Sequence, residues 1–290
     1  MLHSFRLDRL LTLYGARFLR HRRARKPFLP ILMYHSISDD AESGVHGYYR
    51  VTTSPARFRE QMLWLKDHGY TTVTLEDGLN RLKIKPSDPV SADRDRNAVL
   101  TFDDGYLDFL THAWPILAEF GMTATVFLPT AFIGNQPKTF KGRECLIWPL
   151  VRELHDQGIS FGSHTVNHVQ LHGLNWAGIL KELSDSRHCL EDQLGHPVHD
   201  FAYPYAYPSS DHVFCDRLDT VLQECGYQHG VNTVIGTAGS GDDKMRLKRL
   251  PVNECDDMTF FNVKLDGGYD WLETGQRIVK RLKNCGLVLI

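Results

Sequence analysis

No stretch of about eighteen consecutive apolar residues occurs in this chain, so no transmembrane helix is expected. No CxxC pair occurs either. The six cysteines, at 145, 189, 215, 225, 255 and 285, have no zinc-knuckle spacing, and a chain of 290 residues needs no disulfide staples, so they read as reduced thiols. A nucleic-acid partner is not expected: the net charge is only −2 and the body carries no basic stripe. The beginning does not read as a secretory signal, because its apolar run, Leu10 to Leu13, is short and is followed by Arg17, Arg20 and an RRAR stretch. The expected location is therefore cytoplasmic, with the inner face of the membrane as one setting. Internal repeats and low-complexity tracts are also lacking. The composition, 42% hydrophobic and 23% charged, is that of an ordinary globular protein.

The near-neutral total conceals an asymmetry. Residues 1–26 contain eight Lys/Arg and a single acid, Asp8, on a chain whose remainder is acidic. Residues 4–24 read as an amphipathic helix with Leu7, Leu10, Leu11, Tyr14 and Phe18 on one face. Two readings stand level: peripheral attachment to a membrane surface through residues 1–26, or a helix packed on the body or on a partner chain. The rest, 27–290, reads as one domain with its core motifs in 97–231. Ile31–Tyr34 is a short apolar strand. Ser54 and Pro55 have N-cap and N1 chemistry for a helix that ends near Gly69. Residues 85–97 read as a polar loop, and 131–146 as another. From Ala98 onward, apolar strands alternate with helical patterns: strands at 98–102, 123–128, 159–162, 199–202, 227–231 and 247–252, and helices at 106–120, 147–157, 175–194 and 211–225. This βα alternation predicts an α/β fold, a distorted and incomplete (β/α)7-8 barrel behind an N-terminal amphipathic helix.

Two motifs carry chemistry. Thr101-Phe102-Asp103-Asp104-Gly105 follows the strand AVLTF, which puts two carboxylates at the C-terminal end of a strand, where barrel enzymes place catalytic groups. Adjacent acids repel. Such a pair suits a site where one binds a metal and the other stays free as a base, although DDG also occurs in plain turns. Ser163-His164-Thr165-Val166-Asn167-His168 follows the strand ISFG. Histidines at i and i+4 share one face of a helix and can share a metal. Fifteen histidines produce roughly one such pair by chance, and His172 repeats the spacing, so position at a strand end distinguishes this pair. His172 reads as a bystander. Two histidines and one carboxylate make a triad with open positions that suits zinc, cobalt, nickel or iron.

TFDDG, SHTVNH and the segment FAYPYAYP at 201–208, in that order, resemble the polysaccharide deacetylase family, the carbohydrate esterases that include the NodB-type deacetylases. The resemblance covers residues 30–272. It implies a metal-dependent hydrolase that removes N-acetyl groups from amino sugars, with Asp103 as catalytic base and Asp104, His164 and His168 as ligands of one divalent ion, commonly zinc. It also implies an oxyanion contact from the backbone N–H of Tyr205. The opening Ile31-Leu32-Met33-Tyr34-His35 resembles the circularly permuted members, such as the poly-N-acetylglucosamine deacetylases, and so gives His35 the role of general acid. No histidine follows His229, which leaves His35 as the proton donor by elimination as well.

The chain departs from the pattern in two places. Val169 stands where a Pro is frequent after the second His. Ala202 precedes Tyr203-Pro204 where an Arg partner of the catalytic Asp is frequent, and Arg249, near the end of a late strand, is the candidate replacement. The expected partner is an N-acetylated carbohydrate. Two alternatives are a deacetylase or deformylase acting on a lipid-linked sugar of envelope glycan synthesis, and a glycan-binding barrel that has lost activity. The segment FFNVKLDGGYDWL at 260–272 resembles the tail of such proteins and has no assigned role.

Overall fold

A computed structural model describes residues 6–15, 27–83 and 96–273. Seven parallel strands close into a barrel. In chain order they are β1 (Ile31–Tyr34), β2 (Arg96–Phe102), β3 (Thr125–Leu128), β4 (Ser160–Ser163), β5 (Asp200–Ala202), β6 (His229–Ile235) and β7 (Leu247–Pro251). Each strand pairs with its successor, and β7 returns to β1 through Leu250↔Leu32 and Pro251↔Met33. Helices follow most strands and pack outside, giving a (β/α)7 barrel.

Side-chain alternation decides what enters the barrel. On β2, Leu100 and Phe102 join an outer cluster with Phe58, Met62 and Leu65 of helix 55–67. Val99, just before Leu100, joins an inner cluster with Ile31, Phe127, Val231 and Leu247. Thr101 and Asp103 continue the inward parity of Val99, and Arg249 continues that of Leu247. The interior is crowded: a Cβ on Gly162 would lie 2.5 Å from the Phe127 ring. Helix 75–83 closes the N-terminal end of the barrel, where Leu75, Leu79 and Leu82 meet Leu29 and Ile31.

Helix 55–67 starts as expected, with the Ser54 hydroxyl accepting from Arg57 N–H and Pro55 in the first turn. Four segments differ from expectation. The predicted helix 106–120 begins late, as a wide π-type turn over Phe109–Ala113 before the α-helix Trp114–Phe120. Pro115 explains this, because it has no N–H for the i−4 carbonyl and crowds it. Within the predicted loop 131–146, Thr139–Phe140 pairs antiparallel with Arg143–Glu144. Lys141 and Gly142 both turn at positive φ, 50° and 79°, as a two-residue hairpin requires. Arg96 and Asn97, expected in a loop, open β2 and pair with Tyr70 and Thr71 of a short outer strand. The remainder of that polar loop lies outside the described residues. At the N-terminus, an α-turn Leu7–Leu10 runs into a π-type turn Leu11–Gly15 against the body, and the other residues of the predicted 4–24 helix also lie outside the described residues.

Candidate active site and metal centre

Asp103 and Asp104 leave the C-terminal end of β2, and Asp103 N–H donates to Tyr34 O of the neighbouring β1. The two carboxylates have different partners. Asp103 receives a fork from Arg249, with Nη1 to Oδ1 at 2.6 Å and Nη2 to Oδ2 at 2.7 Å. The Arg249 guanidinium is 0% exposed and Asp103 3%. Thr101 Oγ1 and Asn232 O accept two further bonds from Arg249, which fix the plane of the fork. Burial opposes ionisation of Asp103, yet the Arg249 charge, helped by His164 and His35, holds its pKa down at about 2. Asp103 is thus an ionised carboxylate at neutral pH.

Asp104, His164 and His168 converge, each offering a ligand atom within 4.8 Å of the others. Asp104 Oδ1 lies 3.2 Å from His168 Nε2 and 3.7 Å from His164 Nε2, and no hydrogen bond from the described residues satisfies this buried oxygen. His164 Nδ1 lies 2.7 Å from the Ala202 carbonyl, which can only accept, so Nδ1 carries the proton and Nε2 keeps its lone pair. Burial, against the pull of Asp103, depresses the His164 pKa to about 4 and keeps the ring neutral. A buried unpaired carboxylate oxygen facing two imidazole nitrogens, one of them fixed as a lone-pair donor, fits a divalent metal. Asp104 is held well below the usual carboxylate range: burial opposes this, but His168, His35 and His164 outweigh it.

The two histidines do not meet by helical spacing. Residues 164–170 form a bent loop, with Thr165 at φ 66° and His168 at φ 51°. The rings nevertheless sit 4.7 Å apart. His35 directly follows β1, with Nε2 3.9 Å from Asp103 Oδ2. Its Nδ1 is buried without a hydrogen-bond partner among the described residues, and burial lowers its pKa despite the two nearby aspartates. Tyr205 also turns at positive φ, 59°, and its half-exposed ring packs against His168 at 4.6 Å. Among the described residues nothing accepts its backbone N–H. His172 lies outside the cluster and pairs with Asp211 at 3.1 Å.

Two site residues escaped the sequence reading. Tyr106 donates its hydroxyl to Asp104 Oδ2 at 2.9 Å, and Lys141, at the hairpin tip, places Nζ 3.3 Å from the same oxygen. The Lys-Gly turn was the available signal for the hairpin. Segment 260–272, left without a role, forms the helix Met258–Leu265 and then places Tyr269 and Trp271 against the N-terminal helix.

A buried donor set, an ionised carboxylate beside it and a third imidazole 3.9 Å from that carboxylate, all at the strand ends, are the arrangement of a barrel hydrolase. Comparison with known proteins narrows the class. The family model for polysaccharide deacetylases matches residues 91–230. YxkH of Bacillus subtilis, which carries the polysaccharide deacetylase name, is 30% identical over 227 residues, 78% of this chain and 71% of that one. The poly-beta-1,6-N-acetyl-D-glucosamine N-deacetylase of Staphylococcus aureus is 26% identical over 188 residues, 62% of this chain and 60% of its own length. Among solved structures, the Streptococcus pyogenes deacetylase PplD in complex with acetate superposes with a TM-score of 0.69 at 25% identity, covering 83% of this chain and 99% of that one. The chain belongs to the polysaccharide deacetylase family, and it is a hydrolase of that carbohydrate deacetylase class.

Proposed function

We propose that this protein removes N-acetyl groups from amino-sugar residues of an oligo- or polysaccharide, with one divalent metal, zinc first among the candidates, held by Asp104, His164 and His168. The observation that carries the reading is the convergence of these three side chains next to a carboxylate, Asp103, kept ionised by a two-toothed Arg249 contact. A bound divalent ion would supply Lewis acidity, lowering the pKa of a water and polarising the amide carbonyl. Asp103 accepts the proton of the attacking water. Arg249 keeps Asp103 ionised and oriented for that transfer. The Tyr205 N–H, which has no acceptor among the described residues, donates to the oxygen that gains charge as water adds. His35, on the β1 side of Asp103, delivers a proton to the departing amine. The products are acetate and an amino sugar. The inactive-barrel alternative rested on the missing Arg of the third motif; Arg249 now occupies the position against Asp103, which favours an active enzyme.

The test is acetate release from a panel of N-acetylated oligosaccharides, by metal-free protein and by protein reloaded with zinc, cobalt or nickel. Turnover should appear only with metal and only on N-acetylated sugars. Equal release before and after chelation would reject the metal-dependent reading, and no release from any N-acetylated glycan by the loaded protein would reject the substrate class.

A further inference from the structure

The N-terminal helix is docked with its polar side inward. Arg6 is buried and bonds the Gly47 carbonyl and Asp8, with Asp256 3.8 Å away and the rings of Tyr48 and Phe260 beneath its guanidinium. Arg9 pairs with Asp257, the Tyr269 hydroxyl donates to Asp8, and Trp271 Nε1 donates to the buried Thr12 hydroxyl at 2.9 Å. Leu13 reaches the hydrophobic core. The opposite face is apolar and bare: Leu7 is 54% exposed, Leu10 45%, Leu11 43% and Tyr14 73%. These positions follow one another at i, i+3, i+4 and i+7, which is the spacing of a single helical stripe. A water-facing helix normally shows the reverse arrangement, so hydrophobicity alone does not hold this helix in place. Buried ionic and polar contacts fix its orientation, and that orientation turns the apolar stripe outward.

Two further observations identify what meets the stripe. The first is charge. Arg6 and Arg9 are engaged by acids of the protein, and six more cations, Arg17, Arg20, Arg22, Arg23, Arg25 and Lys26, follow within a dozen residues with no acid among them. An apolar stripe followed in sequence by a run of cations matches the interface of an anionic bilayer, where leucines enter the acyl boundary and cations meet headgroups. The rest of the chain is net acidic, so such a surface attracts this end and repels the remainder. The second is position. Gly47 and Tyr48 belong to the segment that leaves β1 just after His35, and Asp256 and Asp257 to the segment that leaves β7 after Arg249. The helix therefore sits on loops of the catalytic rim. The receiving loop itself adds exposed Val45 and Tyr49.

We infer that the Leu7–Tyr14 stripe is a docking surface for an anionic lipid bilayer, which holds the catalytic rim next to the membrane and presents it to glycan carried at that surface. The docking part of this inference stands apart from the deacetylase reading, because it is read by binding alone.

The test uses the full chain and sedimentation with vesicles of phosphatidylcholine alone or with added phosphatidylglycerol. The protein should partition onto the anionic vesicles, more weakly as salt rises, and little onto the neutral ones. Replacing Leu7, Leu10, Leu11 and Tyr14 together with Gln should weaken partitioning by about a hundredfold, with the thermal midpoint and acetate release from a soluble oligosaccharide unchanged. A single Tyr14→Trp variant provides a second reading that does not depend on the quadruple variant folding: the emission of the indole it introduces should shift to the blue on anionic vesicles. Failure of the unaltered chain to bind anionic vesicles, undiminished binding by the folded quadruple variant, or an unshifted emission spectrum of the Tyr14→Trp variant would overturn the inference. So would a dimer in solution that the quadruple variant converts to monomer, since a second copy would then be what covers the stripe.

Discussion

Replacing Arg249 with Met removes the charge that keeps Asp103 ionised and leaves the proposed metal ligands untouched. Both partners are buried, Arg249 at 0% and Asp103 at 3% exposure, so solvent compensates the remaining carboxylate poorly. Breaking a buried pair by deleting one partner costs about 3–5 kcal/mol. The carboxylate can reduce that penalty only by taking up a proton, because burial alone drives its pKa upward from about 2. A protonated Asp103 is no base, so kcat should fall by about 10²–10⁴. Bound metal, measured on the purified variant, should stay at the level of the unaltered protein, since Arg249 touches none of the three ligands. Arg249→Lys should fall between the two, because an ammonium cannot make both bonds of the fork. A double-mutant cycle with Asp103→Asn completes the measurement. Each single variant strands one buried group, and the double variant strands less, so chemical unfolding should return a coupling of about 2–3 kcal/mol. Additivity within about 0.5 kcal/mol, or R249M turnover close to that of the unaltered enzyme, would refute the claim that this contact sets the state of the base.

Three other outcomes are expected. His164→Ala should lose bound metal and acetate release together while the thermal transition stays cooperative; a variant that keeps full metal occupancy would remove His164 from the ligand set. His35→Ala should depress turnover on an N-acetyl amide far more than on an activated acetate ester, whose leaving group needs little protonation, and equal losses on the two substrates would rule out the acid role. Gly162→Ala places a methyl within 2.5 Å of the Phe127 ring and 2.8 Å of the Asp200 carbonyl, so it should destabilise by about 1–3 kcal/mol in urea unfolding; an unchanged midpoint would mean that the barrel interior is looser than its packing implies.

Much of the barrel could be read from the chain because each strand is a short apolar run between turn signals, and most of the helices carry their own start signals, as Ser54-Pro55 does. The motifs on β2 and β4 were readable for the same reason: they sit directly after such runs. What the sequence left open is non-local or locally atypical. Arg249 could be named only as a candidate partner of Asp103, because it lies 146 positions away and no spacing rule links them. Only closure of the sheet puts β7 beside β1 and aims an inward-parity residue at the rim. The i,i+4 spacing of His164 and His168 suggested a helix, but the same spacing also fits a bent loop with two left-handed residues, and periodicity cannot tell the two apart. The N-terminal stripe was visible as amphipathic, yet which face turns inward depended on acids at 256 and 257 and on Tyr269.

The left-handed residues explain how neighbours in sequence come to act on one pocket. In an extended strand, consecutive side chains point to opposite faces. If β2 continued straight, Asp103 would face the interior and Asp104 would turn away from it. Asp104 instead adopts φ 75°, and Gly105 after it φ 64°, so the chain swings and both carboxylates reach the same space: His164 Nε2 lies 4.0 Å from Asp103 and 3.7 Å from Asp104. Thr165, His168 and Tyr205 repeat this device at the ends of β4 and β5. Each such residue costs about 1–3 kcal/mol and persists only where its surroundings overrule local preference. Of the six non-glycine residues at positive φ among the described residues, two (Asp104 and His168) are proposed metal ligands and three more (Lys141, Thr165 and Tyr205) border them. The barrel therefore divides its work by sector. The β7 and β1 side places Arg249 and His35 against Asp103, the β4 and β5 side places His164, His168 and Tyr205 against Asp104, and the turn at Asp104 is the point where the proposed proton-handling half and the proposed metal-holding half meet.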